Sequence, residues 1–517
     1  MIIFIKKIGG DELEYVLGLD IGTSSLKGIL FNRNGNVVYS VKESYQTFHN
    51  GVGFSEQDPD DWIKATDNVI KSLIKKQPDI LEYLKGICFS GQMHSLVVLD
   101  DNNNVLRPAI LWNDVRTKKE CELIVKRMGT RLNEVTKNDL MEGFTLPKVL
   151  WIKNNEPDIW KSIHTILLPK DYVRWWLTGN MKTDYSDASG TFLFDIKENK
   201  WSSEICNELN IDIDILPEIV NSHDYVGDLK SDISTRYGFK NKIQIFAGGS
   251  DNACAAIGSG VIYNEYSLVS IGTSGVFLVK LPNESVEYNK NIHLFNLGLE
   301  NFYYAMGVTL SAGSSLNWLK NLFFSNELTF YEVLNDLKDV PLGSNGILFT
   351  PYLSGERTPY GDSKIRASFI GLDSSHSIKD IAKSVMEGVT FSIKESQQII
   401  EEASMMKTEY IVSVGGGSKN QEWIQIQADI FNRPIVTLKN EEGPGIGAGI
   451  LAAYGLGWFD SLEEACSKFV KYNEPIFPDK ERAYKYERLY KLYKQVYSST
   501  KDLTHNLIDF VIDNKNK

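Results

Sequence analysis

The sequence predicts an α/β fold built from two lobes that face each other across a cleft. Length is the first observation, because 517 residues exceed what one hydrophobic core usually supports, so two large domains are expected. The second observation is a repeat: "VLGLDIGTSSLKGILF" begins at Val16, "LVSIGTSGVFLV" begins at Leu268, and each breaks an apolar strand at Ile-Gly-Thr-Ser. Two lobes with matching hairpins would place both turns at a single cleft.

Composition narrows the classes of partner. Apolar residues make up 42% and charged residues 24%, as in ordinary globular proteins, and no apolar run is long enough to span a bilayer. The net charge of −12 argues against nucleic acid and membrane surfaces as partners but allows an anionic ligand bound by backbone N–H groups. Unpaired cysteine spacing predicts a reduced, cytoplasmic protein, and the cysteines are Cys88, Cys121, Cys206, Cys254 and Cys466.

Local patterns place the elements. We expect a meander of strands at 15–20, 26–31 and 37–44, with a turn at 32–36, and then a helix through "DPDDWIKATDNVIKSLIKK" capped by Asp58 or Asp60. A strand is expected at 242–249. The second half repeats this logic, with a helix in "SAGSSLNWLKNLF", a long helix at about 378–404, and a strand that leads into the glycine loop of "EYIVSVGGGSKN". The boundaries predicted are an extension at 1–14 and lobes at 15–262 and 263–517.

The first turn has the parts of a phosphate cradle. Asp20 ends a strand, Gly22 lets the chain turn, Thr23 and Ser24 offer hydroxyl and N–H groups, and Lys27 adds a positive charge. An ordinary hairpin turn with an Asp cap is the alternative, since the same residue types dominate such turns. The second copy has Ser270 in place of the aspartate, so only the first turn could address a metal ion. Neither a strict Walker A motif nor a strict GxGxxG motif is present.

Longer motifs carry a family resemblance from about Tyr15 to Pro478. They are "SGQMHSLVVLD", "LRPAILWNDVRT", "GFTLPKVLWIKNNEP", "LLPKDYVRWWLTG", "DASGTFLFD", "GGSDNACAAIGSG", "PYLSGERTP" and "VGGGSKNQEWIQIQADI". With these motifs the chain resembles the FGGY family of carbohydrate kinases, and within it most closely the xylulokinases. The resemblance implies two lobes of the actin/hexokinase-like (ribonuclease-H-like) fold, with the sugar in the first lobe and the nucleotide in the second. It also implies that ATP, together with Mg²⁺, phosphorylates D-xylulose to D-xylulose 5-phosphate. A homodimer is compatible with the resemblance.

The same resemblance implies a role for individual residues. Asp251 would be the general base that takes the proton of the accepting hydroxyl, although the local sequence alone also allows a helix N-cap. Asp20 would hold Mg²⁺ through water. The sugar contacts implied are Met93, His94, Asp251 and Asn252, and a purely structural histidine is the alternative for His94.

The implied ATP contacts come from both halves of the chain, and "GGG" taken alone could equally be a flexible turn. These contacts are Thr23, Ser24, Lys27, Gly272, Thr273, Gly313, Asn317, Gly416, Gly417 and Asn420. No role follows for Glu356 and Arg357 in "SGERTP", for which a structural loop is expected. Whether Trp112, Asn113 and Asp114 touch sugar or support the wall stays open.

Three other interpretations remain open at the level of sequence. One is a sister kinase for ribulose, gluconate or glycerol, and another is a sugar- or nucleotide-binding relative without turnover. The third is an actin-like structural or chaperone ATPase. The presence of both Asp20 and Asp251 argues against the second, and the sugar-side motifs "GQMHS" and "DASGT" argue against the third.

Overall fold

The computed structural model describes residues 13–288, 291–323 and 337–515, so most of the predicted N-terminal extension lies outside the described residues. Its strands in the first half are β1 (Tyr15–Ile21), β2 (Ser25–Asn32), β3 (Val37–Ser44), β4 (Glu56–Gln57), β5 (Leu84–Gly91), β6 (Val97–Leu99), β7 (Ala109–Ile110), β8 (Thr165–Leu167), β9 (Lys182–Asp184), β10 (Phe194–Asp195), β11 (Lys200–Trp201), β12 (Glu218–Val220), β13 (Tyr225–Asp228), β14 (Gln244–Phe246) and β15 (Gly249–Ser250). The later strands are β16 (Tyr266–Ile271), β17 (Gly275–Leu281), β18 (His293–Asn296), β19 (Tyr303–Thr309), β20 (Leu348–Thr350), β21 (Ser368–Ile370), β22 (Tyr410–Gly415) and β23 (Ile435–Thr437).

Helices alternate with these strands. In the first half they are α1 (Pro59–Lys76), α2 (Ile80–Tyr83), α3 (Lys118–Met128), α4 (Thr130–Thr136), α5 (Thr145–Asn155), α6 (Pro157–Ser162), α7 (Pro169–Thr178), α8 (Tyr185–Ser189), α9 (Ser203–Leu209), α10 (Ser231–Tyr237) and α11 (Asp251–Gly258). In the second half they are α12 (Gly313–Phe323), α13 (Ile378–Ser404), α14 (Gln421–Phe431), α15 (Pro444–Gly455), α16 (Leu462–Phe469) and α17 (Lys480–Lys515). None of the helices in the described ranges combines the length and apolar character that crossing a bilayer requires.

Two large sheets share an arrangement of five strands and differ at their edges. The first runs β13–β14–β5–β1–β2–β3, with β15 added beside β5, and the second runs β18–β19–β17–β16–β22–β23. In each, a three-stranded antiparallel meander (β1–β2–β3 or β16–β17–β19) is extended by parallel strands on the far side of its first strand. The repeated turn of the sequence therefore reflects a repeated sheet, and the predicted α/β fold of two lobes is confirmed.

The predicted meander matches β1, β2 and β3 to within a residue at each end. Asp58 is the N-cap of α1, with its side chain accepting a hydrogen bond from the backbone N–H of Asp60. The strand predicted at 242–249 is wrong as a continuous element, because it is split into β14 and β15. Gly248, between them, has a φ of +79°, a conformation that breaks the ladder.

Helix α15 joins the two halves of the molecule. Although α15 follows the last strand of the second sheet, it packs against β1, β2 and β5 of the first sheet and against α11. Ile446 and Ile450 of α15 share one buried cluster with Val16 of the first sheet and Val412 of the second. The core is therefore continuous between the two sheets, and α15 packs with the first half although it comes from the second.

Candidate active site

The first turn connects β1 to β2 and is held by side chains from elsewhere in the first half. Within the turn, the backbone N–H of Gly22 donates to the carbonyl of Ser25 at 3.1 Å. Gln57 Nε2 donates to the carbonyl of Thr23 at 2.5 Å, and the indole N–H of Trp112 donates to Thr23 Oγ1 at 2.9 Å. Trp112 thus supports the turn, while Ser24 is exposed at its tip.

Two carboxylates lie close enough for the charge of one to affect the pKa of the other. Asp20 is near the end of β1, and its pKa is raised to about 6 by burial, against the opposing effects of Ser90 and Lys27. Asp251 is the first residue of α11, and its pKa is raised to about 7 by burial and then by the charge of Asp20. The backbone N–H of Asn252 donates to Asp251 Oδ1 at 2.7 Å and partly offsets this rise. The pair therefore unites a candidate metal-binding acid with a candidate base that ionises near neutral pH.

The capping role suggested as an alternative for Asp251 belongs to its neighbour. Ser250 is the N-cap of α11, with its Oγ accepting from the backbone N–H of Ala253 at 3.4 Å. The backbone N–H of Ser250 donates to Ser186 Oγ at 2.8 Å, and Ser186 Oγ donates to Asp184 Oδ2 at 2.5 Å. The Asp251 carboxylate is consequently left for the cleft.

A fully buried charge cluster adjoins Ser186 and includes Asp184, to which Ser186 donates. Lys170 Nζ lies 2.6 Å from Asp171, 2.8 Å from Asp184 and 2.9 Å from Asp187, and all four side chains are inaccessible to solvent. Burial raises the pKa of Asp187 well above its ordinary value, while the charge of Lys170 opposes that rise. Since Asp184 also bonds Ser186, the backbone beside Asp251 rests on this cluster.

The predicted sugar contacts come together next to Asp251. Asn252 Nδ2 donates to Met93 Sδ at 3.4 Å, and His94 follows Met93. His94 Nδ1 lies 2.7 Å from the carbonyl of Gly190, and because a carbonyl only accepts, Nδ1 carries the hydrogen. Burial, followed by the charge of Lys148, lowers the pKa of His94 to about 3. His94 is therefore neutral, and its Nε2 is an acceptor suited to a hydroxyl group.

Sequence reasoning missed the residues that hold His94 in place. The carbonyl of His94 accepts from Thr145 Oγ1 at 3.1 Å and from Lys148 Nζ at 2.9 Å, fixing a backbone whose φ is +65°. At Gly190 a Cβ would lie 2.9 Å from Met93 Cε and 3.0 Å from His94 Nδ1, so a side chain there would displace both. Lys148, a charged residue within the apolar run of "TLPKVLW", is the one signal that sequence analysis could have used.

The predicted nucleotide residues of the second half line one cavity of about 560 Å³. It lies between the second turn, the beginning of α12 and the glycine loop after β22. The backbone N–H of Gly313 donates to the carbonyl of Gly272 at 2.8 Å, and that of Ala312 donates to the carbonyl of Thr273 at 3.0 Å. Asn420 also caps α14, with its side chain accepting from the N–H of Trp423 at 2.8 Å. The predicted residues in the lining are Gly272, Thr273, Gly313, Asn317, Gly416, Gly417 and Asn420.

Lys27 lies outside the cavity of the second half and is paired with an acid. Its Nζ forms an ion pair with Glu442 at 2.5 Å, and it is not part of the lining of the cavity, nor are Thr23 and Ser24. Glu441, the residue before Glu442, contacts the second lobe. Its carboxylate accepts from the backbone N–H of Gly415 and from Ser418 Oγ. These two glutamates therefore connect the first hairpin to the glycine loop of the second sheet.

The side chain of Asp20 shows whether this site could bind a metal ion. Its Oδ1 is buried, and no group among the described residues donates a hydrogen bond to it. The described residues contain no cluster of three or more His, Cys, Asp and Glu side chains that could hold a metal. One carboxylate with a vacant acceptor fits Mg²⁺, which keeps several waters and binds through one or two carboxylates together with phosphate oxygens.

Comparison with known proteins identifies the family of the chain. The model for the N-terminal domain of the FGGY family of carbohydrate kinases matches residues 15–258, and the model for its C-terminal domain matches 267–456. A xylulose kinase of Lactococcus lactis subsp. lactis (strain IL1403) is 49% identical over 499 residues, covering 96% of this chain and 99% of the relative.

Two solved structures from Lactobacillus acidophilus share the fold. A ligand-bound xylulose kinase has a TM-score of 0.88 at 28% identity, covering 94% of this chain and 98% of the other. A gluconate kinase has a TM-score of 0.88 at 27% identity, with the same coverage of 94% and 98%. The fold alone therefore does not select the sugar. The match of both domain models over most of the sequence establishes that this chain belongs to the FGGY family of carbohydrate kinases.

Proposed function

We propose that this chain transfers the γ-phosphoryl group of ATP to D-xylulose and releases ADP and D-xylulose 5-phosphate. The observation that carries the choice of sugar is the 49% identity, over 96% of this chain, to a relative named xylulose kinase. The neutral His94 and the adjacent Met93 and Asn252 supply the mixture of acceptor, apolar surface and donor that a small polyhydroxylated ligand needs.

Asp251 acts as the general base in this proposal. Its carboxylate accepts the proton of the C5 hydroxyl, whose oxygen then bonds to the γ-phosphorus while the bond to the β–γ bridging oxygen breaks and ADP leaves. A pKa of about 7 suits this role, since a base is most effective when its pKa lies near the working pH. The hydrogen bond between Ser186 and the backbone N–H of Ser250 fixes the direction from which the carboxylate approaches the sugar.

The nucleotide occupies the cavity of the second lobe. Gly416, Gly417 and Asn420 hold the adenosine end, while Gly272 and Thr273 present backbone and hydroxyl donors to the phosphates. Thr23 and Ser24 approach the same phosphates from the first lobe. For Lys27 to join them, its ammonium must leave Glu442, so nucleotide binding and separation of that ion pair are coupled.

Asp20 would hold Mg²⁺, through water, by means of its unpartnered Oδ1. When bound, the ion would supply charge neutralisation at the phosphate oxygens. Positioning and charge neutralisation account for most of the catalysis of phosphoryl transfer, so the remaining task of the protein is to align the C5 hydroxyl and exclude water.

A coupled assay of ADP release over a panel of D-xylulose, D-ribulose, gluconate and glycerol tests the proposal. We expect the highest kcat/KM for D-xylulose. Preference for another member identifies a sister kinase, and sugar binding without turnover identifies a non-catalytic relative. ATP-dependent filaments without sugar turnover would favour an actin-like ATPase. A homodimer and a cytoplasmic location also remain our expectations, and light scattering coupled to size-exclusion chromatography tests the former.

A further inference from the structure

The loop that contains Arg357 is fixed firmly against the second sheet. Glu356 is buried, and its Oε1 accepts from the backbone N–H of Leu310 at 2.9 Å and from that of Arg357 at 2.8 Å. Thr358 Oγ1 donates to the carbonyl of Asn291 at 2.7 Å and accepts from the N–H of Val308 at 3.0 Å. Arg357 is thus held between two anchored neighbours, next to the end of β19.

The Arg357 guanidinium has no acid bound to it. Among the described residues, no carboxylate forms an ion pair with this side chain, and Glu356 uses its oxygens for backbone N–H groups and Ser392. Burial lowers the pKa of Arg357, whereas the charges of Glu356 and Glu142 act in the opposite direction. Largely buried cations are usually paired with acids, so a guanidinium left unpaired points to a polar ligand.

The loop of Arg357 is linked to the strand that carries His293. Thr358 bonds Asn291, and β18 begins two residues later with His293. The ring of Phe144 lies 4.6 Å from that of His94 and 5.9 Å from that of His293, so both histidines belong to one wall. Burial lowers the pKa of His293, and the charge of Arg357 is the next cause; for His94, burial and the charge of Lys148 come before that of Arg357.

A second acceptor in this wall also lacks a donor. His293 Nδ1 lies 3.2 Å from Asn138 Oδ1, which also accepts from the N–H of Leu294. Because an amide oxygen only accepts, Nδ1 carries the hydrogen. His293 Nε2 is therefore an acceptor, and no donor reaches it within the described residues. The wall offers acceptor nitrogens on two histidines and a cation between the lobes, which suits a ligand with adjacent oxygens.

We propose that Arg357 binds the carbonyl end of the acceptor sugar, contacting its O1 and O2 atoms, and so determines specificity from the second lobe. This rests on the proposed function. The C1 hydroxyl donates to His94 Nε2 and accepts from Arg357, and the C2 carbonyl accepts from the other arm of the guanidinium fork. The C5 hydroxyl then lies at the opposite end of the sugar, beside Asp251.

Steady-state kinetics with D-xylulose and 1-deoxy-D-xylulose test the contact, since the analogue lacks O1. We expect Arg357→Gln to raise KM for D-xylulose by about 10- to 100-fold, in line with lost hydrogen bonds to a charged group. Its kcat and its KM for ATP should stay within about threefold of the wild-type values, and the wild-type preference for D-xylulose over the analogue should shrink by about tenfold. Arg366→Gln is the matched control, because Arg366 lies on the same segment and donates to the backbone carbonyls of Ser363 and Ile365.

Unchanged KM, a fall in kcat alone, or an equal KM increase for both sugars would overturn the proposal. Arg357→Lys keeps the charge without the fork, so an intermediate KM for D-xylulose is expected from a variant that perturbs folding less. If the wild-type protein phosphorylates a different sugar, the proposed function fails. The same variants assayed with that sugar, and with its analogue deoxygenated at the end remote from the phosphorylated hydroxyl, then test Arg357 separately.

Discussion

Replacing Asp251 by asparagine would separate the chemical role of this carboxylate from its effect on the fold. The substitution keeps the shape and a hydrogen-bond acceptor for the backbone N–H of Asn252 but removes the charge and the ability to accept a proton. We expect kcat to fall by about 10²- to 10⁴-fold, the usual contribution of a positioned base. Binding of ATP should change little, because Asp251 is not part of the lining of the nucleotide cavity.

The same substitution should stabilise the folded protein. The pKa of Asp251 rises from an ordinary value of 3.8 to about 7 on folding. Between these values the folded protein keeps a proton that the unfolded chain has released, so stability is lost as pH rises through this window. Above pH 7 the charged Asp251 lowers the free energy of unfolding by its full amount. This is at most about 4 kcal/mol, since each unit of pKa shift corresponds to roughly 1.4 kcal/mol. Partial solvent contact reduces it, so we expect a gain of about 1–3 kcal/mol for Asp251→Asn at pH 8.

Urea denaturation at pH 8 and at pH 5 measures this gain, which should be smaller at pH 5. Asp232→Asn is the matched control, because Asp232 is an exposed acid in the first turn of α10. Equal or lower stability of Asp251→Asn at pH 8 would contradict a buried, charged Asp251. Retention of kcat within tenfold would contradict its role as the base.

Three further predictions concern the base, the nucleotide cavity and the buried charge cluster. The kcat/KM for the sugar should fall about tenfold per pH unit below pH 7, as Asp251 takes up its proton, and a flat profile from pH 5.5 to 7.5 would contradict this. Gly313→Ala should raise KM for ATP about tenfold without affecting KM for the sugar, since its Cβ would overlap the carbonyl of Gly272. Lys170→Met should cost about 3–5 kcal/mol in urea denaturation by leaving buried acids unpaired, and a loss below 1 kcal/mol would show that the acids become neutral instead.

Elements specified by nearby residues could be predicted from the sequence. The meander of β1, β2 and β3 follows from alternating apolar strands separated by Asn-Arg-Asn-Gly-Asn, and the Ser377–Asp380 capping box marks the beginning of α13. The residues that line the cavity beside Gly272 were predicted from the family resemblance instead, since they come from three segments near residues 272, 314 and 418 that are far apart in sequence. The meander and the helix start, in contrast, depend on interactions within a few residues along the chain.

Features that depend on distant partners could not be predicted. Lys27 and Glu442 are 415 residues apart, so nothing near Lys27 in sequence indicates that an acid neutralises it. The position of α15 on the first sheet, rather than on the sheet that precedes it, is likewise a consequence of packing between the halves. Lys148 stands out in the sequence only as a charge within an apolar run, because its partners, the backbone carbonyls of His94 and Gly143, have no signature there.

The duplicated sheet explains how one fold can serve two different ligands. Ile21 at the end of β1 lies opposite Gly91 of β5, and Ile271 at the end of β16 lies opposite Gly415 of β22. Each lobe therefore places the loop that follows its parallel neighbour strand beside its own Ile-Gly-Thr-Ser turn. In the first lobe that loop continues with Gln, Met and His, whose side chains can select the oxygens of a sugar.

In the second lobe the corresponding loop continues with Gly416 and Gly417, which leave space and bare backbone for a nucleotide. The five-strand arrangement shared by the two sheets thus places a loop beside each turn, and under the proposed function side-chain size would decide which ligand each position takes. On that proposal the two turns would converge on the phosphates, because each of them follows the first strand of a matching meander.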